Sequence, residues 1–384
     1  MQIKAKANEE QLKKKNSEKK ISVKKQYWFE KHFNSNKEKN FLEKQINPVL
    51  SRLLSSRNVE ANNFEDYMNP KIKNILPDPF ILHDMEIATN KIVEIIKEKK
   101  KIGIFGDYDV DGSTSTALLS KYLREAGVEF EFYIPDRIKE GYGPNEDAFT
   151  RLVDSNCELI ITLDCGTTAF KEIDFTNKKG VDVIVIDHHK QGKELPKAFA
   201  IVNPNKQSDN SNLVNLCAAG VTFFLLVSLN RELKKINFFQ DGEPNLIFYL
   251  DLVALGTVCD LVKIDHLNRA FIKQGLRILN HSPNLGVSSI LKESKIDSEV
   301  TDYHLGFIIG PRINAGGRVG KSSLGAELLL SNENKIANVM ALRLGEFNNL
   351  RKKIEKAVEI KAIGMVQDND QIICVNSKNW HPGV

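Results

Sequence analysis

Gly106-Asp107-Tyr108-Asp109-Val110-Asp111-Gly112-Ser113 decides how the chain is read. It follows an apolar run, Ile102-Gly103-Ile104-Phe105, that reads as a buried strand. It precedes Thr114 to Tyr122, which reads as a helix with Ser113 as its N-cap. Three carboxylates at alternate positions therefore fall in a strand-to-helix turn flanked by glycines. Such a cluster repels itself unless cations neutralise it, and carboxylates are the natural ligands of hard divalent ions. On this stretch alone, a plain acidic turn is an equally available reading.

Downstream of it, from Lys101 to His189, strands and helices alternate. Strands are expected at 101–106, 129–134, 159–163 and 183–186, and helices at 114–126, 145–154 and 168–179. This alternation predicts an α/β fold, a mainly parallel sheet with helices on both faces. Ligands of such sheets bind at the carboxyl ends of the strands. There the first strand is followed by Asp107, Asp109 and Asp111, the third by Asp164, and the fourth by Asp187-His188-His189. Three of four strand ends thus carry metal-ligand chemistry on one edge, a stronger signal than any single motif.

Further on, residues 216–280 read as helical, with 245–262 as one long apolar helix ending near Asp260. A carboxylate at a helix C-terminus opposes the helix dipole, and if buried it needs a cation or hydrogen bonds. Residues 310–318, Gly-Pro-Arg-Ile-Asn-Ala-Gly-Gly-Arg, read as a glycine-rich turn. Arg312 and Arg318 in it are suited to bidentate phosphate contacts, or to pairing with nearby acids. A long helix is expected over 334–363, with Phe347, Leu350, Ile354 and Val358 as its apolar stripe, and a new strand at 371–375. Tyr142 is a weaker candidate, for stacking on a base.

The proposed ligand set is Asp109, Asp111, Asp164, His188 and Asp260, with His189 and Asp107 close by. Four carboxylates with one or two imidazoles suit Mn²⁺ or Mg²⁺ better than zinc, and the set is large enough for two ions sharing a bridging carboxylate. His189 is then placed to contact a substrate phosphate or to protonate the leaving oxygen.

Composition narrows the class. A chain of 384 residues is long enough for two domains with ample core. The five cysteines form no CxxC pair, and the start carries no apolar leader segment, so a reducing cytoplasm fits best. No apolar run is long enough to span a bilayer. The net charge of +4 misleads, because the first 45 residues hold 13 Lys against 6 Glu and leave the remainder slightly acidic. That leader, 1–45, reads as a flexible Lys-rich arm.

With these blocks in hand, the chain resembles the DHH phosphoesterase superfamily, and within it the RecJ-type single-stranded-DNA exonucleases. The residues that carry the resemblance are GDYDVDG at 106–112, LDCGTT at 163–168, VIDHH at 185–189, ALGTVCDLV at 254–262 and GPRINAGGRVG at 310–320. It implies a Mn²⁺- or Mg²⁺-dependent enzyme that hydrolyses single-stranded DNA from the 5′ end in recombination and repair. Asp109, Asp111, Asp164, His188 and Asp260 fall on the family's metal positions, His189 on the second histidine of its signature, and Arg312 and Arg318 in its arginine-bearing loop. A helicase or a single-strand-binding protein is the implied partner class, and no membrane is implied. The domain plan that follows is a helical lead-in and catalytic domain at 46–333, a connector helix at 334–364, and at 365–384 the start of a second, DHHA1 lobe that is cut short. Two alternatives remain open: a phosphodiesterase for short oligonucleotides or small nucleotides, and a non-catalytic nucleic-acid- or partner-binding module on the same fold.

Overall fold

A computed structural model describes residues 20–141, 143–240, 242–366, 372–381 and 383. Two compact units divide at Asn69 and Pro70. In the first, strands β1 (Lys20–Ile21) and β2 (Tyr27–Trp28) form a small antiparallel pair, followed by helices α1 (Ser35–Glu43), α2 (Pro48–Ser56) and α3 (Phe64–Met68). Phe41 of α1 and Leu54 of α2 are buried in one small cluster with Val59 and Ala61. Residues 35–43 of the expected arm are therefore helical, because Phe41 supplies an apolar anchor amid the lysines. The unit boundary also lies beyond the expected one near residue 45. Residues 1–19 of the expected arm fall outside the described part.

The second unit opens with α4 (Ile72–Ile75) and α5 (Met85–Lys97) and then builds the sheet. Its strands are β3 (Lys101–Gly106), β4 (Phe130–Tyr133), β5 (Cys157–Leu163), β6 (Asp182–Ile186) and β7 (Ala200–Val202), paired in parallel in the order β4-β3-β5-β6-β7. The connecting helices are α6 (Val110–Glu125), α7 (Glu146–Asp154) and α8 (Phe170–Lys178). Strand β7 is not among the expected strands, although it ends the apolar run from Ala198 to Val202. Side chains alternate between the two faces. Ile102, Ile104, Leu159, Ile161, Ile184 and Ile186 pack in the larger core, whereas Phe105, Ile160, Val183 and Val185 pack in a second cluster with Phe149 and Ile173.

After the sheet come α9 (Ala218–Lys235), α10 (Leu250–Cys259), α11 (His266–His281) and α12 (Leu285–Glu293). Helix α9 is buried on every side, by Val221, Phe223, Phe224, Leu225, Leu226 and Leu229, which is why it reads as the longest apolar run. Among the described residues no helix is long and apolar enough to cross a membrane. The helix expected over 245–262 opens as 3₁₀ and ends at Cys259. A 3₁₀ turn, Leu246–Tyr249, capped by the Asn245 side chain, precedes α10.

The glycine-rich stretch at 310 is not a turn. It forms helix α13 (Gly310–Val319), continuous with a π-helical segment, Leu305–Ile309, and a single turn, Asp302–His304. Packing overrides glycine's low helix propensity here, since Ile313, Ala315, Gly316 and Gly317 are buried. Helices α14 (Leu324–Leu329) and α15 (Asn334–Ile363) complete the unit. In α15 the fully buried apolar positions are Ala337, Ala341 and Leu344, whereas Leu350 of the expected stripe is exposed. Of the strand expected at 371–375, Gln371 lies outside the described residues, and Ile372 to Val375 form no strand.

Candidate metal centre

Strand order places the site. From β3 the chain moves to β4 on one side and then to β5 on the other, so the carboxyl ends of β3 and β5 flank the point where the winding reverses, where open α/β sheets form their ligand crevice. The loops after β3, β5 and β6 carry Asp107 to Asp111, Asp164, and Asp187 to His189.

Helix α6 begins earlier than its sequence suggests. Asp109, not Ser113, is the N-cap, and its Oδ1 accepts from Gly112 N at 3.0 Å. Helix onset at Val110 brings Asp111 inside the first turn and buries it. The turn closes this tightly because residue 112 is glycine, where a Cβ would meet the Asp107 carbonyl oxygen at 2.4 Å. Asp111 also caps a second helix. Its carboxylate accepts from Ala218 N at 2.6 Å and Ala219 N at 2.9 Å, at the N-terminus of α9. Gly256 of α10 lets this arrangement close, since a Cβ there would lie 2.8 Å from Asp111 Oδ1 and 2.7 Å from Ala219 Cβ.

Asp164 ends β5 in a left-handed conformation, φ +63, with its N–H donating to the Ile186 carbonyl at 3.0 Å. The backbone reversal turns its buried carboxylate toward the neighbouring acids. Asp187 anchors the next loop. It accepts from Thr167 Oγ1 at 2.6 Å, from the backbone N–H groups of His188 and His189, and pairs with His189 Nδ1 at 2.8 Å. Asn203 and Asn205 hold the same loop from the other side, donating to the carbonyls of His189 and His188 at 2.8 and 2.6 Å.

The two histidines lie beyond the end of β6 with ring centres 4.7 Å apart, and they differ in exposure. His188 is nearly buried, and its Nε2 lies 3.3 Å from Asp164 Oδ1, 3.6 Å from Asp260 Oδ2 and 3.7 Å from Asp111 Oδ2. His189 is half exposed, with Nδ1 3.9 Å from Asp164 Oδ1. Asp260 reaches the cluster from the C-cap of α10. Three overlapping groups can each converge on one ion: Asp164 with His188 and His189; Asp111 with His188 and Asp260; and Asp107 with Asp109 and Asp164.

Electrostatics separate this cluster from an ordinary acidic turn. Burial, then Asp109, pushes Asp107 up to about 7. Burial, then Asp111 and Asp109, pushes Asp260 up to about 8. Asp164 is raised well above the carboxylate range, by burial first and by Asp111 next. Asp187 goes the other way, held low against its burial by the bonds from His189 and Thr167. His189 in turn is raised to about 9, chiefly by its hydrogen bond to Asp187. Asp164 Oδ1 and His188 Nε2 are buried and make no hydrogen bond among the described residues. Buried polar atoms are almost always satisfied. Two facing orphans, one acid and one imidazole, amid four more carboxylates fit a hard divalent ion, and the oxygen-rich set favours Mn²⁺ or Mg²⁺ over zinc.

The arginines divide. Arg312 is engaged by Glu293, Nε to Oε2 at 2.9 Å, and by the Ile308 carbonyl, which is the pairing alternative to a phosphate role. Arg318 bonds the Gly383 carbonyl, and its proton affinity is lowered by burial and by the nearby charges of Arg137 and Arg351. Arg137 lies 5.0 Å from the Tyr108 ring centre, beside the metal-ligand loop. Sequence reading missed Arg137, although its place just after the second strand was a usable signal. It named Asp187 without giving it a role and passed over Asn203 and Asn205; all three orient other residues. Tyr142 lies outside the described residues.

The model of the DHH family N-terminal domain matches residues 101–257. The single-stranded-DNA-specific exonuclease RecJ of Haemophilus influenzae is 36% identical over 348 residues, covering 88% of this chain and 60% of that protein. RecJ of Bacillus subtilis is 36% identical over 344 residues, covering 88% of this chain and 42% of that protein. The chain thus spans between about two fifths and three fifths of the length of these curated relatives. A crystal structure of exonuclease RecJ bound to manganese superposes with a TM-score of 0.70 at 31% identity, covering 79% of this chain and 75% of that one. RecJ of Thermus thermophilus in complex with Mn²⁺ gives a TM-score of 0.78 at 26% identity, covering 91% of this chain and 49% of that one. By sequence, by fold and by the edge on which its acids gather, the chain belongs to the RecJ family of DHH proteins.

Proposed function

We propose that the chain is a metal-dependent phosphodiesterase that hydrolyses single-stranded DNA from the 5′ end, as a 5′→3′ exonuclease in DNA recombination and repair. The observation that carries this reading is the pair Asp164 Oδ1 and His188 Nε2, 3.3 Å apart, buried and without hydrogen bonds among the described residues, through which the three candidate ligand groups are linked. The solved relatives with Mn²⁺, and one from Thermus thermophilus with Mg²⁺, support the same ion class.

Two divalent ions, Mn²⁺ or Mg²⁺, would be held by Asp109, Asp111, Asp164, His188 and Asp260, with Asp107 as a further contact. Bound there, they supply positive charge for a phosphate and a lowered pKa for water. The chain's own residues do the rest. Asp187 orients His189 through Nδ1 and favours its protonated form. The half-exposed ring of His189 then faces the substrate phosphate or gives its proton to the leaving oxygen as the P–O bond breaks. Arg318, beside Arg137, holds a neighbouring phosphate, and Arg312 joins it only by exchanging its bond to Glu293. Single-stranded DNA is the proposed partner, with a helicase or single-strand-binding protein as the protein partner and the cytoplasm as the compartment. Residues 334–364 act in this plan as the connecting helix.

The test uses purified chain, Mn²⁺ and 5′-phosphorylated single-stranded DNA labelled at its 3′ end, beside blunt duplex, a dinucleotide and an Asp164→Asn control. Progressive shortening of the single strand, absent in the control, is expected. Cleavage of the dinucleotide alone would move the reading to a short-oligonucleotide phosphodiesterase. Binding without any cleavage would move it to a non-catalytic module.

A further inference from the structure

Three of the ten residues of α13 are glycine, and one face of the helix accounts for two of them. Gly310, Asn314 and Gly317 recur at i, i+4 and i+7, so they share that face. A Cβ at Gly310 would lie 2.5 Å from Cys259 Sγ, and Cys259 immediately precedes Asp260. A Cβ at Gly317 would lie 2.5 Å from Tyr108 Cδ2 and 3.0 Å from Tyr108 Cβ, and Tyr108 stands between Asp107 and Asp109. Between the two glycines, Asn314 Oδ1 accepts from Val110 N at 3.1 Å, and Val110 stands between Asp109 and Asp111. One helix face therefore touches both the 107–111 loop and the segment that ends in Asp260, two stretches far apart in sequence.

The Asn314 bond is a cap supplied from outside the capped helix. Val110 is the first residue of α6, and its N–H is one of the first-turn donors that a helix cannot satisfy internally. Asp109 directs its Oδ1 to Gly112 N, and Asp111 accepts from two backbone N–H groups of α9. A neutral amide serves Val110 instead. An acid in its place would add charge to a site already crowded with carboxylates, which repel one another until a cation arrives.

We propose that Asn314 is a positioning residue of the metal centre, and that the Gly310–Asn314–Gly317 face of α13 sets the spacing between Asp109 and Asp111 on one segment and Asp260 on the other. Asn314 acts by holding the Val110 amide, and with it the first turn of α6, before any ion binds. The two glycines let the helix approach closely enough for a side chain as short as asparagine to reach. This inference rests on the metal-dependent reading and adds what keeps its ligands in place.

The test compares wild type, Asn314→Ala and Asn314→Asp by calorimetric titration with Mn²⁺, and by hydrogen exchange at the Val110 amide in EDTA. Asn314→Ala is expected to bind Mn²⁺ about tenfold more weakly, as loss of an outer partner of a metal site usually does. Its Val110 amide should exchange faster in the metal-free protein. Shortening of single-stranded DNA should fall at limiting Mn²⁺ and recover toward wild type as Mn²⁺ saturates. Asn314→Asp keeps an acceptor for Val110, so protection of that amide should stay near the wild-type level. The proposal is overturned if Asn314→Ala binds Mn²⁺ as wild type does, even with a lower melting temperature in EDTA, since that alone is the behaviour of a purely structural contact. Should Asn314→Ala not fold, the wild type decides: a Val110 amide that exchanges freely in EDTA overturns the proposal, and a protected one upholds the cap. A wild type that binds Mn²⁺ yet leaves DNA intact removes the exonuclease reading and leaves this one standing. A wild type that binds no Mn²⁺ removes both.

Discussion

Two places in the second unit bury charge, and they do so in opposite ways. At one, Lys206 is almost wholly buried, and its Nζ reaches Asp84 Oδ2 at 2.6 Å and the Ile201 carbonyl. Asp84 also meets His83 Nδ1 at 2.9 Å and accepts from Ile201 N, and Asp209 accepts from His83 N at 2.9 Å. Opposite charges meet and each carboxylate has its donors. At the strand ends, by contrast, five carboxylates crowd two histidines, and buried atoms of Asp164 and His188 go without hydrogen bonds among the described residues. The first cluster is finished as protein. The second is left with unbalanced acids that cations would complete, and that difference, more than the count of acids, marks it as the candidate ligand set.

The comparison breaks most sharply at Asp164. Asp164→Asn keeps a side chain tolerant of the left-handed backbone while removing one buried charge from its repelling neighbours. Nuclease turnover in Mn²⁺ should fall by on the order of 10³-fold or more. Unfolding in EDTA should show equal or greater stability than wild type, and the rise in melting temperature on adding Mn²⁺ should shrink. A large loss of stability in EDTA would mean that the cluster is structural after all.

Lys206→Met should behave the opposite way. Leaving the part-buried Asp84 without its cation should cost about 1–3 kcal/mol in urea unfolding, with the Mn²⁺-induced rise in melting temperature retained. Should the two variants show the same pattern, the contrast between the clusters fails.

Asp251 sharpens it on a smaller scale. This buried carboxylate accepts from Leu252 N and Asn284 N, yet burial still pushes it up to about 6. The folded state then holds a proton that the unfolded chain has released, so stability should fall as pH rises between about 4 and 6. The contribution is on the order of 2–3 kcal/mol, and it is read as the difference between wild type and Asp251→Asn at pH 4 and pH 6.5. No difference across that window would show the hydrogen bonds to outweigh burial. Asn205→Ala, which frees the His188 carbonyl, should have the smallest effect, about 1–2 kcal/mol. It should also reduce turnover in Mn²⁺ by more than its loss of stability explains, because it loosens the loop that aims His188.

The sheet and its ligand edge were legible because parallel strands are short, apolar and punctuated. Asp109, Asp111, Asp164, His188, His189 and Asp260 stand at ends that periodicity locates to within a few residues. Less was legible where a side chain's partner lies far away in sequence. Nothing near residue 312 announces Glu293, and nothing near Asp187 announces Thr167 or the brace from Asn203. The stretch at 310–319 misleads because glycine lowers helix propensity locally, whereas close packing against Tyr108, Phe347 and Cys259 rewards it tertiarily.

Sequence by itself determined the α/β alternation, the edge on which ligands gather and the donor types, because these follow from residue periodicity and side-chain chemistry. Only the tertiary structure decided which acids are satisfied and which are orphaned, that Asp109 rather than Ser113 starts α6, and that Arg312 pairs with Glu293. The physical reason is that satisfaction and burial are properties of contacts between distant segments, and a sequence states the groups without stating the distances.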